Sequence, residues 1–310
     1  MGNSPCNPSP DTVNELFSIA QSRGIVPDAG LDGTLGTFLS LNSSVALSHQ
    51  YADIQRSLSP ERLTSYNHDL ATTFGDGAQI AFGGVGIVAL ALSLLLEVLA
   101  HHTLSDPIQR IFGADHSSDI GTLVSEYLKQ VPKVANEPQK MAEVTERYDR
   151  ALAHELIDFY EVMTVDRRMS SASIKQWLNG AAFHLHLRIH QVRMGAYKKG
   201  YAESLGISYK AGFPVLIKTY TEYLQRHVRE RPPGPLPGLL IIEPFRNMTH
   251  QVHHRPCESD AIANRIASKV LEAQGIQRSM DFFEETEKHM DSLISQQGNF
   301  SLQANVSKSM

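Results

Sequence analysis

Residues 137–163 read EPQKMAEVTERYDRALAHELIDFYEVM, and this stretch decides the fold. Apolar side chains recur at Met141, Val144, Tyr148, Leu152, Leu156, Phe159 or Tyr160, and Met163, in steps of three and four. A helical period places them on one face and leaves the charged residues on the other. Pro138 suits the first turn, because its missing N–H would have no helical partner there.

The same pattern extends in both directions. Downstream, Ser171 or Ser173 opens a helix carrying Ile174, Trp177, Leu178, Ala181, Leu185 and Ile189, and Pro214 opens another with Leu216, Tyr220, Tyr223 and Leu224 on one face. Upstream, Ser118 or Asp119 starts a helix that ends before Pro132, and Asp106-Pro107 starts a short one that stops near Gly113. Ser59-Pro60-Glu61 combines a capping hydroxyl, a proline at the first helical position and an acid in the first turn, for a helix running to about Phe74. Asp11 caps a short helix that stops at Gly24, and Val26 to Gly36 reads as a looser, Gly-rich segment.

Residues 232–238, PPGPLPG, cannot be helical and read as polyproline II. Leu239–Ile242 is the one strand candidate, and two helices follow over about 259–274 and 277–296, with Gly275 and Gly298 as stops. Strands and helices do not alternate, which argues against a parallel sheet. The expectation is an all-α, multi-helix bundle over 11–231 with one very hydrophobic central helix. A Pro-rich connector over 232–238 and C-terminal helices within 239–298 that pack on the bundle complete it, with flexible ends at 1–10 and 299–310.

Composition bounds the function. The chain has 310 residues, 42% of them hydrophobic and 20% charged, enough apolar material for a core and too much for disorder. Two cysteines exclude a disulfide scaffold. A net charge of −5 argues against nucleic acid as a partner.

The hydrophobic helix is expected from residues 80–96, IAFGGVGIVALALSLLL, which carry no charge. At about 1.5 Å per residue the run spans roughly 26 Å, slightly short of a hydrocarbon core of about 30 Å. It reads either as a helix buried on all sides or as a membrane segment from Ile80 to Leu96, with Gly83, Gly84 and Gly86 allowing close helix contact. Gly84-x-Gly86-x-x-Ala89 has the spacing of a dinucleotide loop but lacks the preceding strand that such a loop needs.

Further hints are local. Gly2 and Cys6 form a degenerate acylation signal. Residues 171–231 hold ten Lys or Arg against three acids, and Arg188, Arg193, Lys198 and Lys199 within them suit an anionic membrane surface. His186 and His190 lie four apart on one helical face, with His184 off it. The loop HQVHHRPC at 250–257 offers His250, His253, His254 and Cys257 as four possible zinc ligands, although Arg255 lies among them. Arg229-x-x-Pro232-x-x-Pro235 fits one class of SH3 ligand. The first twenty residues do not read as a secretory signal, so sequons at Asn42, Asn247, Asn299 and Asn305 are expected to be unused. Nucleophile-elbow, P-loop and HExxH motifs are absent; His154-Glu155 begins the last but reaches Asp158.

The function expected from these hints is a non-enzymatic, cytoplasmic, membrane-associated protein with a scaffolding, regulatory or membrane-active role and no cofactor. The alternative is a soluble α-helical enzyme or metal-binding protein that uses the histidine clusters, with zinc as its metal. Use of the Asn42 or Asn247 sequon would place the chain in the secretory pathway instead.

Overall fold

The computed structural model describes residues 29–75, 79–101, 107–113, 118–226, 228–230, 238–243, 248–253 and 259–302, together with 11, 14, 17 and 18. Among the described residues the fold is all-α, with twelve helices and only short strands. The chain divides into two compact units. One comprises Asp32–Asp158, Gln176–Lys210 and Phe282–Met310; the other comprises Met1–Leu31, Phe159–Lys175 and Ala211–Asp281.

The larger unit begins with α1 (Gly33–Phe38), α2 (Ser43–Ser57) and α3 (Pro60–Phe74). Helix α1 falls where a loose segment was expected. Asp32 explains it: its carboxylate accepts the Thr34 backbone N–H at 2.8 Å, satisfying a donor that the first turn cannot. At α3 the expected cap is present, with Ser59 Oγ accepting from Arg62 N and Pro60 in the first turn.

Residues 80–96 do not form one helix. Gln79–Ile80 is a short strand, β1, and 81–85 turn before α4 (Gly86–His101) begins. Close packing enforces the turn: a Cβ on Gly84 would lie 2.8 Å from the Ser44 hydroxyl. Helix α4 has apolar residues on all its faces, and residues 83–94 are buried without a break. It packs against α1, α2, α3 and α6 (Ile120–Val134). No described helix is long and apolar enough to cross a membrane.

A short helix, α5 (Pro107–Phe112), lies against α6. Helix α6 continues two residues past Pro132 instead of stopping before it. Burial of Val131 and Val134 holds that last turn in place although proline cannot donate to it. In α7 (Pro138–Thr164), Met141, Tyr148, Leu152, Leu156, Phe159 and Met163 are buried as the stripe required, and Thr145 and Asp149 are buried with them.

Helix α8 (Ser171–Arg193) departs furthest from expectation. It was expected to expose a basic face, yet from Ser173 to Gln191 only Lys175 and Arg188 are not fully buried. Gly180 allows this, because a Cβ there would fall 2.6 Å from Ile120 Cγ2 and 3.0 Å from Leu156 Cδ2. Helix α9 (Gly200–Arg226) likewise runs straight through Pro214, where a new helix was expected to open.

In the smaller unit the single expected strand becomes the middle of an antiparallel sheet. It runs β2 (Val228–Glu230), β3 (Gly238–Glu243), β4 (Met248–His253), with Leu240 opposite both Arg229 and Gln251. The Pro-rich stretch therefore joins two paired strands. Pro232 and Pro235 themselves lie outside the described residues, as does most of the expected helix after Asp11. Helices α10 (Ser259–Ala273) and α11 (Ile276–Lys288) flank the expected break at Gly275, and α12 (Met290–Ser295) starts after a second break at His289. The expected frayed end at Asn299 is a correction as well: Phe300–Ser301 forms β5, which pairs with β1, and Phe300 and Leu302 are buried.

Candidate functional site

A cavity of the larger unit lies between a stripe of side chains on α4 and a stripe on α6. Helix α4 contributes Ala91, Leu94, Leu95 and Val98, and α6 contributes Ser125, Leu128, Lys129 and Pro132, both in the i, i+3, i+4, i+7 pattern of one helix face. Thr73 of α3 and Pro107 and Ile108 of α5 close the sides. The space measures about 470 Å³ and its walls are overwhelmingly apolar. Arg110 of α5 holds this arrangement by a two-pronged salt bridge to Glu97 of α4, at 2.7 and 3.1 Å. The Glu97 carboxylate raises the Arg110 pKa further.

Two charges line the cavity, Lys129 and Lys133, one helical turn apart. Both are exposed, and neither forms an ion pair among the described residues. Like charges at this spacing disfavour the helix that carries them, so an anion seated between them would relieve the repulsion. Pro132, between them in sequence, has no N–H, which removes the usual helical donor from the Leu128 carbonyl in the same wall. A second cavity of about 230 Å³ adjoins the first and shares Ile108, Ser125 and Lys129 with it.

The histidines of α8 lie in a different environment. His184 bonds on both ring nitrogens, Nε2 to Asp149 at 2.8 Å and Nδ1 to the Tyr209 hydroxyl at 2.6 Å. Tyr201 donates to the other Asp149 oxygen at 2.7 Å, and Arg188 Nε donates at 3.0 Å. Burial pushes the Asp149 carboxyl up, but these hydrogen bonds and charges outweigh it and hold it below the usual range. Burial pushes His184 down, so the ring is neutral, donating to Asp149 and accepting from Tyr209. With no ring nitrogen left for a substrate, the His–Asp pair is a structural clasp between helices.

His186 and His190 are fully buried, and burial, with the Arg193 charge second, pushes each down to about 3. Nε2 of each ring has no hydrogen-bond partner. They share a helical face as expected, but among the described residues no group of three His, Cys, Asp or Glu could hold a metal ion.

The four cations assigned to an anionic surface are mostly committed within the chain. Arg188 binds Asp149 and lies 4.3 Å from the Tyr201 ring centroid. Arg193 donates to the Leu293 carbonyl at 2.6 Å and to His190 Nδ1 at 3.3 Å, and burial pushes it down to about 10. Lys199 pairs with Glu203 and Asp291. Lys198 alone of the four is exposed without an ion pair among the described residues.

The remaining candidates are dispersed. Ile80, Gly83 and Gly84 belong to the strand and turn before α4, whereas Gly86 and Leu96 belong to the helix. His250 and His253 fall in β4, while His254 and Cys257 lie outside the described residues. Arg229 is in β2, and Gly2, Cys6 and Asn247 lie outside the described residues. Asn42 precedes α2 and is exposed. His154 and Asp158 form an exposed i,i+4 pair on α7 at 2.9 Å. The cavity, with Lys129 and Lys133, is what the sequence reading missed. Its one sequence signal is a pair of lysines four apart beside an apolar face, and that pattern occurs on most surface helices.

No protein-family model, curated protein or solved structure matches this chain.

Proposed function

We propose that the chain is a non-enzymatic α-helical protein that binds a single-chain amphiphile, with its hydrocarbon in the 470 Å³ cavity and its acidic group at Lys129 and Lys133. The observation that carries this reading is the pairing of an apolar space with two unneutralised cations in its wall. Small-molecule sites have this character, being concave, mostly apolar and of about 300–1,000 Å³, with a few polar groups that fix orientation. On this reading α4 is the very hydrophobic central helix of the bundle, and it serves as the floor of a ligand cavity. Its apolar character is then explained without a membrane crossing. Association with an anionic membrane surface on the cytoplasmic side follows as the way such a ligand is collected, with Lys198 and the cavity lysines supplying the attraction.

The test is displacement of a fluorescent fatty acid, cis-parinaric acid, by oleate. Wild type is expected to bind one equivalent, more weakly at high salt because the lysines are exposed. Ala91→Phe carries a ring toward the cavity from its floor and is expected to weaken binding by roughly tenfold or more. Because Ala91 is only 3% exposed, it is also expected to cost about 1–3 kcal/mol of stability, so binding is read on the folded variant. Absence of binding by wild type, or equal binding by a folded Ala91→Phe, would overturn the reading.

A further inference from the structure

The smaller cavity differs from its neighbour in chemistry. Its 230 Å³ are bounded by Gln109, Ser118, Thr122, Glu126 and Gln176, with Lys129 shared between the two spaces. A chain occupying the large cavity with its polar end at Lys129 has this second space beside its head group. Glu126 and Lys129 stand three residues apart on α6, the spacing at which an acid and a base on a helix meet. Yet no hydrogen bond or ion pair joins them; Glu126 receives only a long hydrogen bond, 3.4 Å, from the Tyr148 hydroxyl. One small cavity of mixed polar and apolar lining thus holds two opposite charges that do not neutralise each other. Phe112 lines it too, and an aromatic ring attracts a nearby ammonium.

We infer that the amphiphile carries a zwitterionic phosphate–ammonium head group, with the phosphate at Lys129 and the ammonium at Glu126. The inference rests on the proposal that the large cavity holds a hydrocarbon chain. It adds a selectivity that the lysines alone do not give. A doubly anionic head in this space would face the Glu126 carboxylate, and such like-charge placement is how sites reject a near relative of their ligand. A fatty acid, whose carboxylate can stay at Lys133 in the large cavity, avoids Glu126 but forgoes the second contact.

The experiment uses the full chain loaded with cis-parinaric acid and three competitors, each below its micelle concentration. These are oleoyl-lysophosphatidylethanolamine, oleoyl-lysophosphatidic acid and oleate. The zwitterionic lipid is expected to displace the probe at roughly tenfold lower concentration than lysophosphatidic acid, a difference worth one charge pair. In Glu126→Gln, which keeps an acceptor for Tyr148, that ratio is expected to fall to about one, with helix content unchanged by circular dichroism. A wild-type ratio near one overturns the head-group inference without reference to any variant, as does a ratio that survives in Glu126→Gln, while oleate binding would leave the cavity reading in place. Failure of all three lipids and of the probe to bind would instead overturn the cavity reading, and this inference with it.

Discussion

Asp149 is 1% exposed and serves three partners, so removing its carboxylate strands Arg188 and leaves His184 and Tyr201 without an acceptor. Breaking a buried pair from one side costs about 3–5 kcal/mol. Arg188 keeps some access to water, so Asp149→Ala is expected to cost about 3 kcal/mol in urea unfolding. Tyr201→Phe removes one hydrogen bond to a charge and is expected to cost about 2 kcal/mol. Equal, small losses for both would contradict the clasp. His186 and His190 set the pH response. Their folded values of about 3 lie below the ordinary 6.5, so their stabilising effect is complete above pH 6.5 and is lost as the pH falls toward 3. At pH 5 each has removed about 2 kcal/mol of stability, and His184, displaced in the same direction, adds to the loss. Urea midpoints should therefore fall steeply between pH 7 and pH 5, and His186→Phe should flatten the slope. A midpoint independent of pH over that range would show that these rings are solvated. The sequence places His186 and His190 on one face correctly. It could not show that His184, off that face, meets Asp149 from 35 positions away.

At the scale of elements, what local chemistry dictates is legible and what tertiary packing dictates is not. The α7 stripe, the Ser59 cap, the Pro107 start and the Gly275 break follow from residues within one or two turns, and they stand as read. Pro132 and Pro214 read as helix boundaries, yet α6 and α9 pass through both. A proline's local cost of about 3 kcal/mol is offset where neighbouring apolar side chains are buried, and sequence periodicity does not report burial. Helix α8 shows the same limit: eleven polar residues suggest a solvated face, but distant partners enclose most of them. Gly180 tests that enclosure. Alanine favours a helix over glycine by about 1 kcal/mol, and Gly36→Ala, with open space around it in α1, is expected to stabilise by up to that amount. Gly180→Ala is expected to do the reverse, costing about 1–3 kcal/mol through overlap with the branched Ile120 side chain. Thermal melts of the two variants should move in opposite directions. If Gly180→Ala melts higher than wild type, the close approach of α6 and α8 is wrong.

Over the whole molecule, the charge pattern changes meaning once the chain is folded. The excess of Lys and Arg over 171–231 suggests a surface for anionic headgroups, but Arg188, Arg193 and Lys199 find partners from other parts of the chain. The cations left without partners beside an apolar space lie instead at 129 and 133, in a segment whose own composition is unremarkable. The cavity was not legible because it depends on what α4 and α6 fail to fill, and a void has no residues to mark it. The proposed function requires that a hydrocarbon chain enter that space. Methyl-labelled leucine NMR, with assigned spectra titrated with oleate, tests this most directly. Shifts at Leu94, Leu95 and Leu128 that saturate at one equivalent, while Leu47 and Leu178 stay in place, are the predicted result. Unchanged spectra, or shifts spread across all leucines without saturation, would contradict it.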